Sequence, residues 1–113
     1  MIYELREYVA EPGCAERLHS RFREHVLGLF ERHGLKVVGF WHDAEDSGRV
    51  VYLLRFPDDS TRVAAWAAFQ ADPQWQTVKA ESEADGAIVS GMTSRVLAQP
   101  AYWTGVTAVA SGP

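Results

Sequence analysis

Proton transfer and anion binding are the chemistries that the side chains of this sequence could support. A histidine with a pKa near neutrality can act as a general acid or base, and a tyrosine can donate a hydrogen bond into a cavity. An arginine presents a planar fork of donors to an anionic or enolic ligand. No spacing singles out one residue, so the candidate catalytic residues are His25, His42, Tyr52 and Arg55.

These candidates also have structural interpretations. His25 lies near the apolar edge of a predicted helix, where a histidine could simply be a hydrogen-bonded boundary residue. Tyr52 could belong to the core with its hydroxyl satisfied. Arg55 lies in an otherwise apolar run, where it could form an ion pair across a sheet with Glu4 or Glu7. Both interpretations stay open for each residue.

Three tryptophans are the candidate ligand-pocket residues: Trp41, Trp66 and Trp75. Three indole rings could line an apolar pocket for a flat aromatic molecule. They could equally fill the core or form a contact between subunits. The sequence therefore allows a small hydrophobic or aromatic ligand, but it does not identify the molecule.

The sequence carries no metal or cofactor motif. His19 and His25 face apart on one predicted helix, and His19 and His33 lie roughly 21 Å apart along it. There is no HxxxH, HExxH or Cys/His cluster, and no nucleophile elbow, P-loop or GxGxxG motif. Cys14 is the only cysteine, which excludes an intrachain disulfide. We expect neither a metal nor a cofactor.

The composition is that of one soluble globular domain. Hydrophobic residues make up 47% of the 113 residues and charged residues 23%. The formal net charge of -4 argues against nucleic acid as a partner, since phosphate binding needs a basic face. The N-terminus is charged at once, unlike a signal peptide, and no apolar stretch is long enough to span a membrane. We therefore expect a cytoplasmic protein.

Hydrophobic periodicity divides the chain into four strands and three helices. Alternating or continuous apolar runs predict strands at Ile2–Val9, Leu35–His42, Arg49–Phe56 and Ile88–Leu97. A three- and four-residue spacing predicts a first helix from about Cys14 to His33, with Gly34 as its C-terminal cap. A second helix follows the third strand, and Asp72 caps a short third one that begins at Pro73.

The element order βαββ(αα)β predicts an α+β, ferredoxin-like fold. Right-handed crossovers place the helices on one face of a four-stranded antiparallel sheet. The third strand is apolar on both faces, because Leu53 and Leu54 point to opposite sides. A second copy stacked on the bare face would cover it, which predicts a homodimer through the sheet. The sequence does not decide which of the two leucines faces the helices.

Several short motifs resemble those of the NIPSNAP family across Ile2–Pro100. The residues that carry the resemblance are Tyr3-Glu4-Leu5-Arg6 with Tyr8, Pro12-Gly13, Val38-Gly39-Phe40-Trp41 and Ala71-Asp72-Pro73-Gln74-Trp75-Gln76. The resemblance implies a dimeric α/β-barrel protein, a superfamily that includes cofactor-free monooxygenases, haem-degrading enzymes and stress-responsive proteins. It also implies a NIPSNAP-like domain over residues 1–100 and a C-terminal extension over residues 101–113.

Three functional hypotheses remain open at this point. The first is a homodimer that binds a small hydrophobic or aromatic molecule between sheet and helices. The second is a cofactor-independent monooxygenase, or a related auxiliary enzyme, that acts on a polyketide-like substrate. The third is a non-catalytic structural or interaction module whose pocket is collapsed. The volume of the space between sheet and helices separates the first two from the third.

Overall fold

A computed structural model describes residues 1–103 and has helices packed against one face of a four-stranded antiparallel sheet. Counted along the chain, the second and third strands are followed across the sheet by the first and the fourth, so the predicted α+β, ferredoxin-like fold is confirmed. The elements along the chain are β1 (Ile2–Ala10), α1 (Ala15–Arg21), a π-helical segment (Phe22–Val26), α2 (Leu27–His33), β2 (Lys36–His42), β3 (Arg49–Phe56), α3 (Asp59–Ala71), α4 (Pro73–Ser82) and β4 (Val89–Ala98).

The chain is helical over the range predicted for the first helix, but a π-helical segment separates α1 from α2 within it. The buried residues Leu18, Phe22, Val26 and Phe30 recur at intervals of four. On an ideal α-helix this spacing drifts by about 40° per step. The wider turn of a π segment corrects the drift, so all four side chains reach the same core.

The alternating burial of side chains along β3 shows which face of the strand packs against the helices. Tyr52 and Leu54 are fully buried, whereas Val51 and Leu53 are only partly buried. Successive residues of a strand point to opposite faces. Leu54 therefore lies on the helix-covered face, and Leu53 lies on the opposite, outer face of the sheet.

Local capping agrees with the sequence pattern. Gly34 ends α2 with φ 78°, a left-handed conformation that glycine adopts without the penalty of a side chain. The Asp58 carboxylate accepts a hydrogen bond from the Thr61 N–H at the start of α3, and Asp72 does the same for Gln74 at the start of α4. These caps fix where α3 and α4 begin, and so where their tryptophans lie.

The end of the described chain lies against the outer face of the sheet. Pro100 and Trp103 border an apolar hollow of about 200 Å³ together with Tyr3, Leu53 and Leu97. Most of the predicted extension over residues 101–113 lies outside the described residues, and its boundary stays a prediction. Within residues 1–103, no helix is long and apolar enough to cross a membrane.

Candidate functional site

Side chains from β1 and β3 form a polar cluster inside the layer between sheet and helices. Arg6 and Tyr52 lie opposite each other in the register of these strands. Arg6 Nε donates to Tyr52 Oη at 3.1 Å, and Arg6 Nη2 donates to Tyr8 Oη at 2.9 Å. Tyr52 Oη in turn donates to Tyr8 Oη at 3.1 Å. The inner network, as we call Glu4, Arg6, Tyr8 and Tyr52, thus connects one guanidinium to two phenols.

Glu4 anchors the inner network from a position that is only 1% exposed. Its carboxylate accepts hydrogen bonds from Ser94 Oγ at 2.6 Å, Trp66 Nε1 at 2.8 Å and Arg6 Nη1 at 3.0 Å. Arg62 adds a longer contact at 3.3 Å. Burial by itself raises the pKa of Glu4, but the bonds from Ser94, Trp66 and Arg6 outweigh it and leave the pKa lowered. Glu4 is therefore ionised at neutral pH.

Two other members of the inner network, Arg6 and Tyr52, keep their ordinary charges. Burial raises the pKa of Tyr52 well above its usual value, so this phenol stays neutral. Burial lowers the pKa of Arg6, yet the neighbouring Tyr8 and Tyr52 oxygens more than reverse that effect. The Arg6 guanidinium also lies 4.2 Å from the centre of the Trp66 ring, a cation–π distance.

A cavity of about 60 Å³ adjoins the inner network. Its polar lining residues are Arg6, Tyr8, Arg21 and Gln70. Tyr8 has no acceptor for its own O–H among the described residues. The remaining wall is largely aromatic and includes Phe22, Phe30, Trp66, Phe69 and Trp75. Phe22 and Val26 place the π-helical segment on this cavity, and π segments recur at functional sites.

Arg21 separates this cavity from a larger space outside it. It lines both the cavity and an outer cleft of about 350 Å³ between α1 and α4, although its side chain is only 8% exposed. Its Nη1 donates to Glu83 Oε2 at 2.9 Å and to Ser82 Oγ at 3.2 Å. The guanidinium lies 5.3 Å from the centre of the Trp75 ring.

The two candidate histidines lie away from the cavity. His25 is exposed and borders the outer cleft. His42 is exposed at the end of β2, where its Nδ1 lies 2.9 Å from the Asp43 carbonyl oxygen and its ring packs edge-on against His19. Tyr52 is the only catalytic candidate of the sequence that the described structure places in the inner network.

Arg55 lies on the outer face, opposite Tyr3 in the sheet register. The ion pair proposed for it as a structural interpretation is not formed among residues 1–103. Glu4 pairs with Arg6 and Arg62, while Glu7 pairs with Arg49. Arg55 therefore stays a predicted ligand anchor only for a molecule or subunit that meets the outer face.

The candidate tryptophans divide between the two faces of the sheet. Trp66 and Trp75 line the cavity together. Trp41 is 56% exposed on the outer face, where its ring lies over Gly39 and occupies the place of a side chain there. Their role in ligand binding stays a prediction, and the structure brings only two of the three together.

Sequence reasoning did not select Glu4, Arg6, Tyr8 or Arg21. The first three occupy alternate positions of β1, a spacing that puts them on one face of a strand. Polar residues at every second position of β1, on the strand face that meets Tyr52, were the pattern from which the sequence could have indicated this cluster. Arg21 carried no such signal, because a charged residue on an amphipathic helix is usually solvated. Within the part of the chain that the structure describes, no three His, Cys, Asp or Glu side chains form a metal-binding group.

The arrangement suits hydrogen bonding better than proton abstraction. The only buried carboxylate in the inner network already accepts from four side chains. Tyr8 and the two arginines, by contrast, offer donors at the cavity wall. Chemically, the site can bind an acceptor group attached to a planar, partly apolar body.

A family model described as NIPSNAP matches residues 3–103. No curated protein matches the chain. Among solved structures, it is similar to a NIPSNAP domain protein from Burkholderia xenovorans described as uncharacterised, with a TM-score of 0.77, 23% identity, and coverage of 91% of this chain and 98% of that one.

Two further structures extend the likeness. A NIPSNAP family protein from Agrobacterium tumefaciens has a TM-score of 0.79 at 14% identity and covers 92% of this chain and 97% of its own. A protein described as an antibiotic biosynthesis monooxygenase has a TM-score of 0.64 at 14% identity, with 88% and 99% covered. At these identities the likeness concerns the fold alone.

Proposed function

This chain belongs to the NIPSNAP family, and from its geometry we propose that it forms a homodimer and binds a small, partly aromatic molecule between its sheet and its helices. The observation that supports ligand binding is the cavity beside the inner network. Ligand sites combine apolar and aromatic walls with a few convergent polar groups, and here five aromatic rings surround the donors of Arg6 and Tyr8. The acceptor group of the ligand is held by these donors.

The volume of the cavity limits which part of the ligand enters it. At about 60 Å³, it is smaller than the roughly 150 Å³ cavity that accommodates benzene in another protein. The outer cleft of about 350 Å³ falls within the range of roughly 300–1,000 Å³ typical of ligand pockets. The polar end of the ligand therefore enters the cavity past Arg21, while its body occupies the cleft.

The outer face of the sheet supports the homodimer. Leu5, Val51 and Leu53 form its apolar centre, and Trp41 is 56% exposed beside them. The Tyr3 hydroxyl is buried on this face and has no hydrogen-bond partner among residues 1–103. This hydroxyl is already inaccessible in the single subunit, so the support for a second copy comes from the apolar centre that it would bury.

The monooxygenase alternative receives less support. A cofactor-free oxygenase needs a base that deprotonates its substrate. Neither predicted histidine borders the cavity, and only His25 borders the outer cleft, from an exposed position. The fold likeness to an antibiotic biosynthesis monooxygenase does not supply that base, because fold does not imply function. The cytoplasmic location stays a sequence-based prediction.

Calorimetric titration with 2-naphthamide, a neutral planar probe with a carbonyl acceptor, tests the binding proposal. We expect saturable binding with one probe per subunit. Val26→Phe fills the cavity that Val26 lines and should weaken binding about ten-fold or more, as a change of pocket volume does. Val63→Phe, at an exposed position of α3, is the matched control and should bind like the unmodified protein.

Two results would contradict the proposal. One is the absence of binding at the solubility limit of the probe. The other is equal affinity in the Val26→Phe variant with its fold intact by circular dichroism. If Val26→Phe fails to fold, Tyr8→Phe serves instead, because it removes the free phenolic donor and little volume.

A further inference from the structure

Arg21 has an unusual combination of deep burial and unused hydrogen-bonding capacity. Its side chain is 8% exposed, and both of its hydrogen bonds come from Nη1. Among residues 1–103, Nε and Nη2 have no hydrogen-bond partner. Neither atom is fully buried, because Tyr3 Oη is the only completely buried side-chain nitrogen or oxygen without a partner among residues 1–103. The free edge of Arg21 is therefore open to an acceptor that arrives from outside.

The free edge has the geometry for a carboxylate. Nε and Nη2 carry two parallel N–H groups along one edge of the planar guanidinium, the arrangement that binds both oxygens of a carboxylate at once. The opposite side of the group is fixed by Glu83 and Ser82, and the flat face by the Trp75 ring. Arg21 is thus held in one orientation before any ligand arrives.

The surroundings of Arg21 favour an anion of modest size. Arg6 is a second guanidinium on the same cavity, and Arg17 borders the outer cleft. The acidic side chains of this region are Glu83, which already pairs with Arg21, and Glu24 and Glu81 on the cleft. The cavity itself contains no acidic lining residue among those described.

We propose that the molecule bound between sheet and helices is an organic acid whose carboxylate is held by the free Nε–Nη2 edge of Arg21, at the boundary of the cavity and the outer cleft. This inference rests on the proposed function and specifies its ligand class. It makes Arg21 the residue that selects for charge, while the planar body of the ligand occupies the outer cleft.

A matched pair of probes separates charge from shape. 2-Naphthoate and 2-naphthamide have nearly the same outline, but only the former is an anion at neutral pH. We expect 2-naphthoate to bind about ten- to one-hundred-fold more tightly, the range for hydrogen bonds to charged groups. Added salt should reduce this ratio only weakly, since buried pairs are poorly screened.

Substitutions of Arg21 test whether this residue causes the preference for the acid over the amide. Arg21→Gln should abolish the preference for the acid and leave amide binding in place, and Arg21→Lys should restore part of it as a point charge without the fork. Arg23→Gln is the control, because Arg23 lines neither the cavity nor the outer cleft and pairs with Glu16 at the surface. It should keep the full preference.

The outcomes distinguish this inference from the proposed function. Equal affinity for the two probes, or a preference for the acid that survives in Arg21→Gln, overturns the organic-acid inference and leaves the binding proposal standing. If Arg21→Gln does not fold, an undiminished preference in Arg21→Lys has the same meaning. If neither probe binds the unmodified protein, the proposed function itself is contradicted.

Discussion

Glu4 is the residue on which the inner network depends, because its two carboxylate oxygens accept from side chains of three separate elements. Arg6 belongs to β1, Trp66 to α3 and Ser94 to β4. One buried negative charge therefore fixes the orientation of the guanidinium that faces the cavity. Loss of this charge should lower the free energy of unfolding more than it weakens ligand binding.

The Glu4→Gln variant tests that dependence. It leaves the buried Arg6 without its carboxylate, and removal of one partner of a buried pair costs about 3–5 kcal/mol of unfolding free energy. Glu16→Gln is the matched control, because Glu16 pairs with Arg23 at a site where the two side chains are 80% and 60% exposed. Its expected cost is about 0–1 kcal/mol, and urea denaturation at neutral pH compares the two. Equal costs would contradict the role given to Glu4.

The lowered pKa of Glu4 also predicts how stability depends on acid. In the unfolded chain the pKa of Glu4 is near its ordinary value of 4.5, and in the folded protein its pKa is lower than that value. The unfolded state therefore binds the proton first, and the stabilisation from this group, present above 4.5, is lost as the pH falls through the folded pKa. Unfolding free energies measured across this range should fall less steeply in Glu4→Gln. An identical slope in both proteins would contradict the assignment.

At the residue scale, the sequence predicted part of the site. Tyr52 was selected as a candidate, and the structure buries it in the core with its hydroxyl bonded to Tyr8, as its structural interpretation has it. A catalytic role for Tyr52 stays a prediction. The pairing of Glu4 with Arg6 needed the strand register and the approach of Trp66 and Ser94, which arise from distant parts of the chain. His25 and His42 were chosen for their chemistry, and tertiary packing places both at the surface.

At the scale of elements, periodicity predicted the strands and caps well, because local sequence determines them. The π-helical segment was missed, although four buried residues at intervals of four were its signal. The π-helical turn improves the packing of this helix, because it keeps the side chains of Phe22 and Val26 on the side that faces the cavity. The two faces of β3 were recognised as apolar from the sequence, and only the structure assigns each to its layer.

The two faces of β3 predict opposite results for neighbouring substitutions. Leu54→Arg places a charge in the fully buried core and should unfold the subunit. Leu53→Arg places the same charge on the outer face and should leave a folded subunit of 12.6 kDa in place of a dimer of twice that mass. Circular dichroism and light scattering measure the two effects. A Leu53→Arg variant that remains dimeric, or an unmodified protein that is monomeric at high concentration, would contradict the proposed interface.

At the scale of the whole molecule, the sheet divides the chain into two functional sides. The helix-covered side holds the inner network, the cavity and Arg21. The outer side presents the apolar surface proposed for the second copy. The sequence predicted this division from strand patterning, but it could not predict the size of the cavity, which depends on how the aromatic side chains interdigitate.

The four tryptophans report on these two sides independently. Trp66 and Trp75 line the cavity, whereas Trp41 lies on the outer face and Trp103 borders the hollow beside Tyr3. Each indole N–H gives one cross-peak in a proton–nitrogen correlation spectrum, and single Trp→Phe variants assign the four peaks. A ligand on the helix-covered side and a partner on the outer side would therefore perturb different peaks.

Titration of the labelled protein with 2-naphthamide, followed through these four peaks, tests the central claim most directly. Binding between sheet and helices predicts that the Trp66 and Trp75 peaks shift together and saturate, while the Trp41 and Trp103 peaks stay in place. Shifts confined to Trp41 and Trp103, or no shift in any peak at the solubility limit of the probe, would contradict it.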